Sequence, residues 1–211
     1  MRKILLFVWF LLPIAAAAYH FGPGQERLRT DHAADAISTA KELAHKARAL
    51  AAKEGDEAAK GLWTQAEAAY SEALTELPAD KVAESRELRL ERAKAQMFIS
   101  QLPEARHELE TLVDELVKDP DADANMLVDA RSSLANAQYY TTWLMRLEGA
   151  AREEWEPEIE AARQNYRWSA EQALAQNDTE LASTGRENLE SAIRLERMKL
   201  EDLQGLPLPS Q

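Results

Sequence analysis

Cysteine is absent from this 211-residue chain. Disulfides, thiolate metal ligands and lipid attachment through a cysteine are thereby excluded, and stability has to come from packing. Histidine is scarce, with 4 in all, which leaves little material for acid–base or covalent catalysis. No nucleophile motif, glycine-rich phosphate loop or zinc-ligand spacing occurs. No segment alternates apolar and polar residues at period two for long enough to make a strand, so the class is all-α. Long apolar runs are missing as well, except at the very start.

That start, "MRKILLFVWFLLPIAAAA", has a basic opening in Arg2 and Lys3, an apolar run broken by Pro13, and Ala16 and Ala18 in the small-x-small pattern that precedes cleavage. Residues 1–18 read as an export signal, too short for the roughly 20 residues of a spanning helix. Cleavage then leaves Tyr19 first; alternatively Tyr19, His20 and Phe21 extend a retained anchor, which is the one membrane contact expected. Either way the remainder lies outside the cytoplasm, in a periplasmic or other extracytoplasmic space, soluble after cleavage or held by that anchor. Without Arg2 and Lys3 the 25 basic residues become 23 against 37 acidic ones, a net charge of −14. A field of that sign repels phosphate backbones and anionic lipid surfaces; it disfavours nucleic acid and favours a basic or neutral partner.

After a linker at residues 19–29, whose Gly22, Pro23 and Gly24 are expected to forbid a regular helix, the chain reads as helices separated by short punctuation. The first is expected at residues 30–53, with Ala33, Ile37, Ala40, Ala44, Ala47 and Ala51 on one face, and the second at 57–77, closed by Pro78. The third spans 81–100. A fourth starts near Pro103 and ends before "KDPDAD", and a fifth covers 124–147, followed by Gly149. Pro157 is expected to open the sixth, which runs to 176, and Asn177 to cap the seventh, with Leu181, Leu189, Ile193 and Leu200 on its face. The helical domain is thus placed at 30–204, with a proline-containing tail at 205–211.

Within "GLWTQAEAAYSEALTELPAD", Ala66, Tyr70, Ala73 and Pro78 fall at offsets of zero, four, seven and twelve. Small residues let a partner helix approach, the aromatic fills the next groove and proline ends the hairpin. The order resembles the second helix of a tetratricopeptide repeat, with Gly61 and Trp63 where that family has its turn glycine and aromatic. Ala105, Leu109 and Leu112 repeat the pattern, with Ala93 and Ser100 at the places of the family's first-helix small residue and turn glycine; Ala162, Tyr166 and Ser169 form a weaker copy. Repeats of that family recur at about 34 residues, whereas Ala66 to Ala105 is 39 and Ala105 to Ala162 is 57. The resemblance is therefore to a degenerate array. It implies a short α-solenoid of antiparallel hairpins with a final capping helix, and a non-catalytic role in which a partner's extended segment or helix docks on the helical surface. An anchored, self-associating helical bundle is the alternative.

Two Glu-x-x-His sequences, Glu42 to His45 and Glu104 to His107, invite comparison with di-metal bundles. At about 100° per residue both histidines fall off the apolar faces of their helices, so neither a metal nor another cofactor is expected. The aromatic-rich stretch from residue 139 to 168 is the other candidate. Tyr139, Tyr140, Trp143 and Trp168 lie away from the main apolar faces and, with Trp155 between them in the chain, read either as a second packing side or as a patch for a protein partner of unknown identity.

Overall fold

Alanine at helical spacing from residue 33 to residue 47 builds one side of the first helix and decides how closely the second can lie on it. The computed structural model describes residues 23–203, in seven helices: α1 (Pro23–Glu54), α2 (Asp56–Glu76), α3 (Val82–Phe98), α4 (Leu102–Lys118), α5 (Ala124–Leu147), α6 (Arg152–Ala175) and α7 (Thr179–Arg197), then a 3-10 turn at Leu200–Asp202. Among the described residues there is no strand. Each helix packs on its chain neighbour, and in addition α3 reaches α5 and α5 reaches α7.

The apolar interior forms three successive clusters. In the first, Ala40, Ala44 and Ala47 of α1 lie against Ala59, Ala66 and Ala73 of α2, and Trp63 and Tyr70 fill what the methyl groups leave open. Trp63 also stacks on Phe98 of α3, with ring centroids 4.4 Å apart and planes within 4°. The second cluster is built on leucine, with Leu90 of α3, Leu109, Leu112 and Leu116 of α4 and Leu134 of α5; each such side chain stabilises by roughly 1.5–3 kcal/mol when fully buried. Ala93 and Ala105 sit here with no exposed surface. The third joins Tyr139, Trp155, Ile159, Tyr166, Leu195 and Leu203 from α5, α6, α7 and the segment after α7.

Helix ends are handled by backbone geometry. After α3, α5 and α6, Ser100, Gly149 and Asn177 take positive φ of 68°, 79° and 62°. In each case the following amide reaches back to the last turn: Gln101 N–H to the Gln96 carbonyl, Ala150 to Met145, Asp178 to Ala173. These are left-handed C-terminal caps that satisfy carbonyls the helix leaves open. Gly55, at φ 89°, alone links α1 to α2.

Several expectations are corrected. The helix begins at Pro23 and not at residue 30: proline in the first turn lacks an N–H that would have had no partner there, so it starts the helix instead of forbidding it. Pro157 lies inside α6, one and a half turns past its start, because the Glu154 carboxylate accepts from the Ala151 N–H (2.8 Å) and caps the helix upstream. Asp178, and not Asn177, caps α7 by accepting from the Leu181 N–H. The buried face of α7 is Ala182, Gly185, Asn188, Ala192 and Leu195, while Leu200 is half exposed and beyond the helix. Gly61 and Trp63 are inside α2, so Gly55 is the turn glycine. Residues 1–22 and 204–211, which include the signal or anchor and the tail, lie outside the described residues.

Candidate functional site

The middle of α5 carries small polar residues on one side, and the helices two places away rise beside them. The result is a trough of about 480 Å³. Its floor is Asp129, Ser132, Ser133 and Asn136; Lys94, Met97 and Phe98 of α3 form one wall and Leu181, Thr184 and Asn188 of α7 the other. Arg48 of α1 and Trp63 of α2 close one end.

The charges of the trough are matched among themselves. Arg48 donates to Glu91 at 3.1 Å, and Lys94 donates to Glu91 at 2.9 Å and to Asp129 at 2.7 Å, which ties α1, α3 and α5 together. Burial works to raise the Glu91 pKa, but Lys94 and Arg48 outweigh it and the carboxyl titrates below its usual range. Burial likewise works against the Lys94 ammonium, and Asp129 and Glu91 together hold its pKa above the ordinary value. Two cations and two carboxylates are thus matched in number.

Hydrogen-bonding capacity is left over. The buried Tyr166 hydroxyl donates to Asn136 Oδ1 at 2.6 Å and fixes that side chain from beneath. Asn188 is buried as a residue, at 4% exposure, yet its amide makes no hydrogen bond to any described residue, and it lines the trough. Neither the Ser132 nor the Thr184 hydroxyl is bonded to a described residue. No histidine lines the trough. Its lining mixes amides, hydroxyls and paired charges with the apolar side chains of Met97, Phe98 and Leu181.

The five aromatic candidates separate. Tyr139 is wholly buried and Trp155 is 8% exposed; both belong to the third cluster, against which Tyr140 and Trp143 pack half-buried. Packing accounts for Tyr139 and Trp155, which offer a partner almost no surface. Tyr140 and Trp143, four and seven residues beyond Asn136, continue the trough side of α5. Trp168 stands apart, half-buried, with the Arg131 guanidinium over its ring at 4.4 Å. Of the residues singled out for repeat packing, Trp63, Ala66, Tyr70 and Ala73 are buried in the first cluster and Ala93, Ala105, Leu109 and Leu112 in the second, while Pro78 is half-buried after α2.

Sequence reasoning missed the trough. Its signal was the run of Ser132, Ser133 and Asn136 inside a helix otherwise apolar on several sides, with Asn188 on the buried face of α7. Glu42, His45, Glu104 and His107 are all exposed, and among the described residues no three His, Asp or Glu side chains gather as a metal site would require. Among the described residues no helix is long and apolar enough to cross a membrane. Comparison with protein-family models, curated proteins and solved structures finds no match for the chain.

Proposed function

We propose that this chain is a non-catalytic docking or scaffold protein, a degenerate tetratricopeptide-like array that works outside the cytoplasm and seats a segment of a partner protein in the trough across α5. The observation that carries the reading is the pairing of a preformed trough with uncommitted polar groups: the Asn188 amide and the Ser132 and Thr184 hydroxyls offer bonds to a polypeptide main chain, and Met97, Phe98 and Leu181 offer apolar contact. The array reading draws support from the packing of α3 on α5 and α5 on α7, from the burial of Ala66 and Ala105 at equivalent places, and from the left-handed Ser100 where that family has its turn glycine. The solvent side of α7 carries Glu180, Ser183, Glu187, Glu190 and Arg194, a polar face suited to a terminal cap.

Export rests on residues 1–18 and fits a cysteine-free chain stabilised by packing alone. The matched charges of the trough, set in a chain of net charge −14, favour a neutral or basic partner segment. The test is cross-linked co-purification from the native membrane and soluble fractions with the unaltered chain and with Ser132→Trp, which fills the floor. Partners captured by the first and lost by the second place docking in the trough; identical capture by both refutes it. Mass spectrometry of the mature protein gives the start, with Tyr19 expected after cleavage, and sedimentation separates a monomeric docking protein from a self-associating bundle.

A further inference from the structure

Arginines that this fold partly buries are given acceptors. Arg86 pairs with Asp119 at 2.6 Å, Arg92 with Glu108 at 2.9 Å and Arg163 with Glu196 at 2.9 Å; Arg89 pairs with Glu108 and Glu115, and Arg106 with Glu158. Arg146, over Trp155, donates to the carbonyls of Leu195 and Met198. Arg131 departs from this pattern. It is half-buried over Trp168, and among the described residues it makes no hydrogen bond and no ion pair, in a chain with 37 acidic residues to choose from. Its Nε is buried without a partner, as those of Arg86, Arg92 and Arg163 are, and what sets Arg131 apart is that its terminal nitrogens have no described acceptor either. Burial lowers its pKa with no carboxylate to oppose the shift. A desolvated guanidinium without an anion is a cost to the folded chain that a bound carboxylate would remove.

The surroundings extend the site. Two turns further along α5, the Gln138 amide oxygen accepts from Asn165 Nδ2 at 3.0 Å, and Asn165 lies one turn before Trp168 on α6. The Asn165 side-chain oxygen, Oδ1, is bonded to no described residue. The seam between α5 and α6 therefore presents a guanidinium over an indole and, one turn away on α6, an amide oxygen that can accept from a partner's main-chain N–H. Around α5 Arg131 is roughly 140–160° from Asp129, Ser133 and Asn136 and roughly 100° from Ser132, so the seam lies on a different side of the helix from the trough.

We propose that Arg131 and Trp168 form a second docking point, independent of the trough, which receives an aspartate or glutamate side chain from a segment of a partner protein. The guanidinium over the indole has terminal nitrogens uncommitted to any described acceptor, a fork that matches a carboxylate, and the half-buried indole supplies apolar contact beside it. Arginine and tryptophan are the residues that most often dominate binding at protein interfaces. One carboxylate satisfies this one cation. A polyanion would meet the repulsion of the acidic chain as a whole, whereas a single acid within a neutral or basic segment is screened from the distant acids over about 8 Å. With the trough on another side of α5, the protein would hold two segments at once.

The test is a titration of the isotope-labelled full chain, followed by NMR, with the probe peptides acetyl-Ala-Glu-Ala-amide and acetyl-Ala-Gln-Ala-amide at constant ionic strength, and with inorganic phosphate. The expected result is saturable movement of the Trp168 indole N–H and the Arg131 Nε–H signals with the glutamate peptide, at least fivefold weaker binding of the glutamine peptide and of phosphate, and unmoved Asn188 amide signals. Arg131→Gln should abolish the response. Arg131→Lys, which keeps the charge and loses the fork, should weaken it by roughly tenfold and remains informative if the glutamine variant does not fold. Equal response to the two peptides, phosphate binding as strongly as glutamate, an unweakened Arg131→Lys, or movement confined to the trough signals each overturns the proposal.

Discussion

Two glycines in helix interiors should respond to the same substitution with opposite sign. Gly61 lies on the exposed side of α2, and a Cβ built there meets nothing within 4 Å. Gly61→Ala therefore gains only the helix preference of alanine over glycine, about 1 kcal/mol. Gly185 lies where α7 crosses α6, and a Cβ there would stand 3.0 Å from the Ala170 Cβ and 3.3 Å from its Cα. Carbon atoms rest at about 3.5–4.0 Å, and neither atom can rotate away, since one is backbone and the other is attached directly to it. The two helices would have to part by roughly half an ångström, and such overpacking costs about 1–3 kcal/mol. After the same helix preference is subtracted, Gly185→Ala should lose about 1 kcal/mol. The two variants should differ by about 2 kcal/mol. In a domain of this size that corresponds to about 4–8 °C between their thermal midpoints, read by circular dichroism at 222 nm with Gly61→Ala above the parent and Gly185→Ala below it. If Gly185→Ala stabilises as much as Gly61→Ala, the α6–α7 approach is not the constraint described here.

Other outcomes follow from the same structure. Ser100→Gly relieves a serine held at φ 68° and should raise the urea midpoint by an amount equivalent to about 1 kcal/mol; an unchanged midpoint would show that the left-handed cap carries no strain. Tyr166→Phe removes the donor to Asn136 in a buried setting and should cost about 1–2 kcal/mol in urea denaturation, whereas a neutral result would mean that Asn136 is satisfied without it. Burial, with Glu91 adding to it, pushes Tyr70 up to about 12, and burial also raises Tyr139 and Tyr166. The unfolded chain ionises its tyrosines first, near pH 10, so this part of the stability is complete below pH 10 and is lost as pH rises toward 12. Absorbance at 295 nm should show the tyrosines of the folded protein ionising in more than one step, the late step coinciding with loss of helix; a single step near pH 10 with the helix intact would contradict the burial.

The class and the number of helices were legible from residue spacing, because each helix has to present its apolar stripe whatever it packs against. Residues 124–147 were bounded in the sequence as the structure has them, since Asp123 caps one end by accepting from the Asn125 N–H and Gly149 terminates the other. Local signals misled where a second local signal competed with them. Pro157 reads as a helix start until Glu154 is seen capping the chain upstream, and Pro23 reads as a breaker although it is harmless in a first turn. The aromatic stretch fared differently again: periodicity showed that Tyr139 leaves the main apolar face of its helix, and only packing shows that α6, α7 and the segment ending at Leu203 cover it, while Trp155 falls in line with Ile159, Ala162 and Tyr166 once α6 is seen to start upstream of Pro157. The trough and the Arg131–Trp168 seam were not readable from one dimension. A serine or asparagine in a helix looks the same whether it faces water or a neighbour two helices away. An arginine shows its lack of a carboxylate only when every acid within reach has been placed. What the amino-acid order determined by itself was the set of amphipathic helices and their caps, through interactions within a few residues. Which polar groups remain uncommitted, and on which side of α5, was decided by the tertiary structure, because that depends on partners 30 to 50 residues away along the chain.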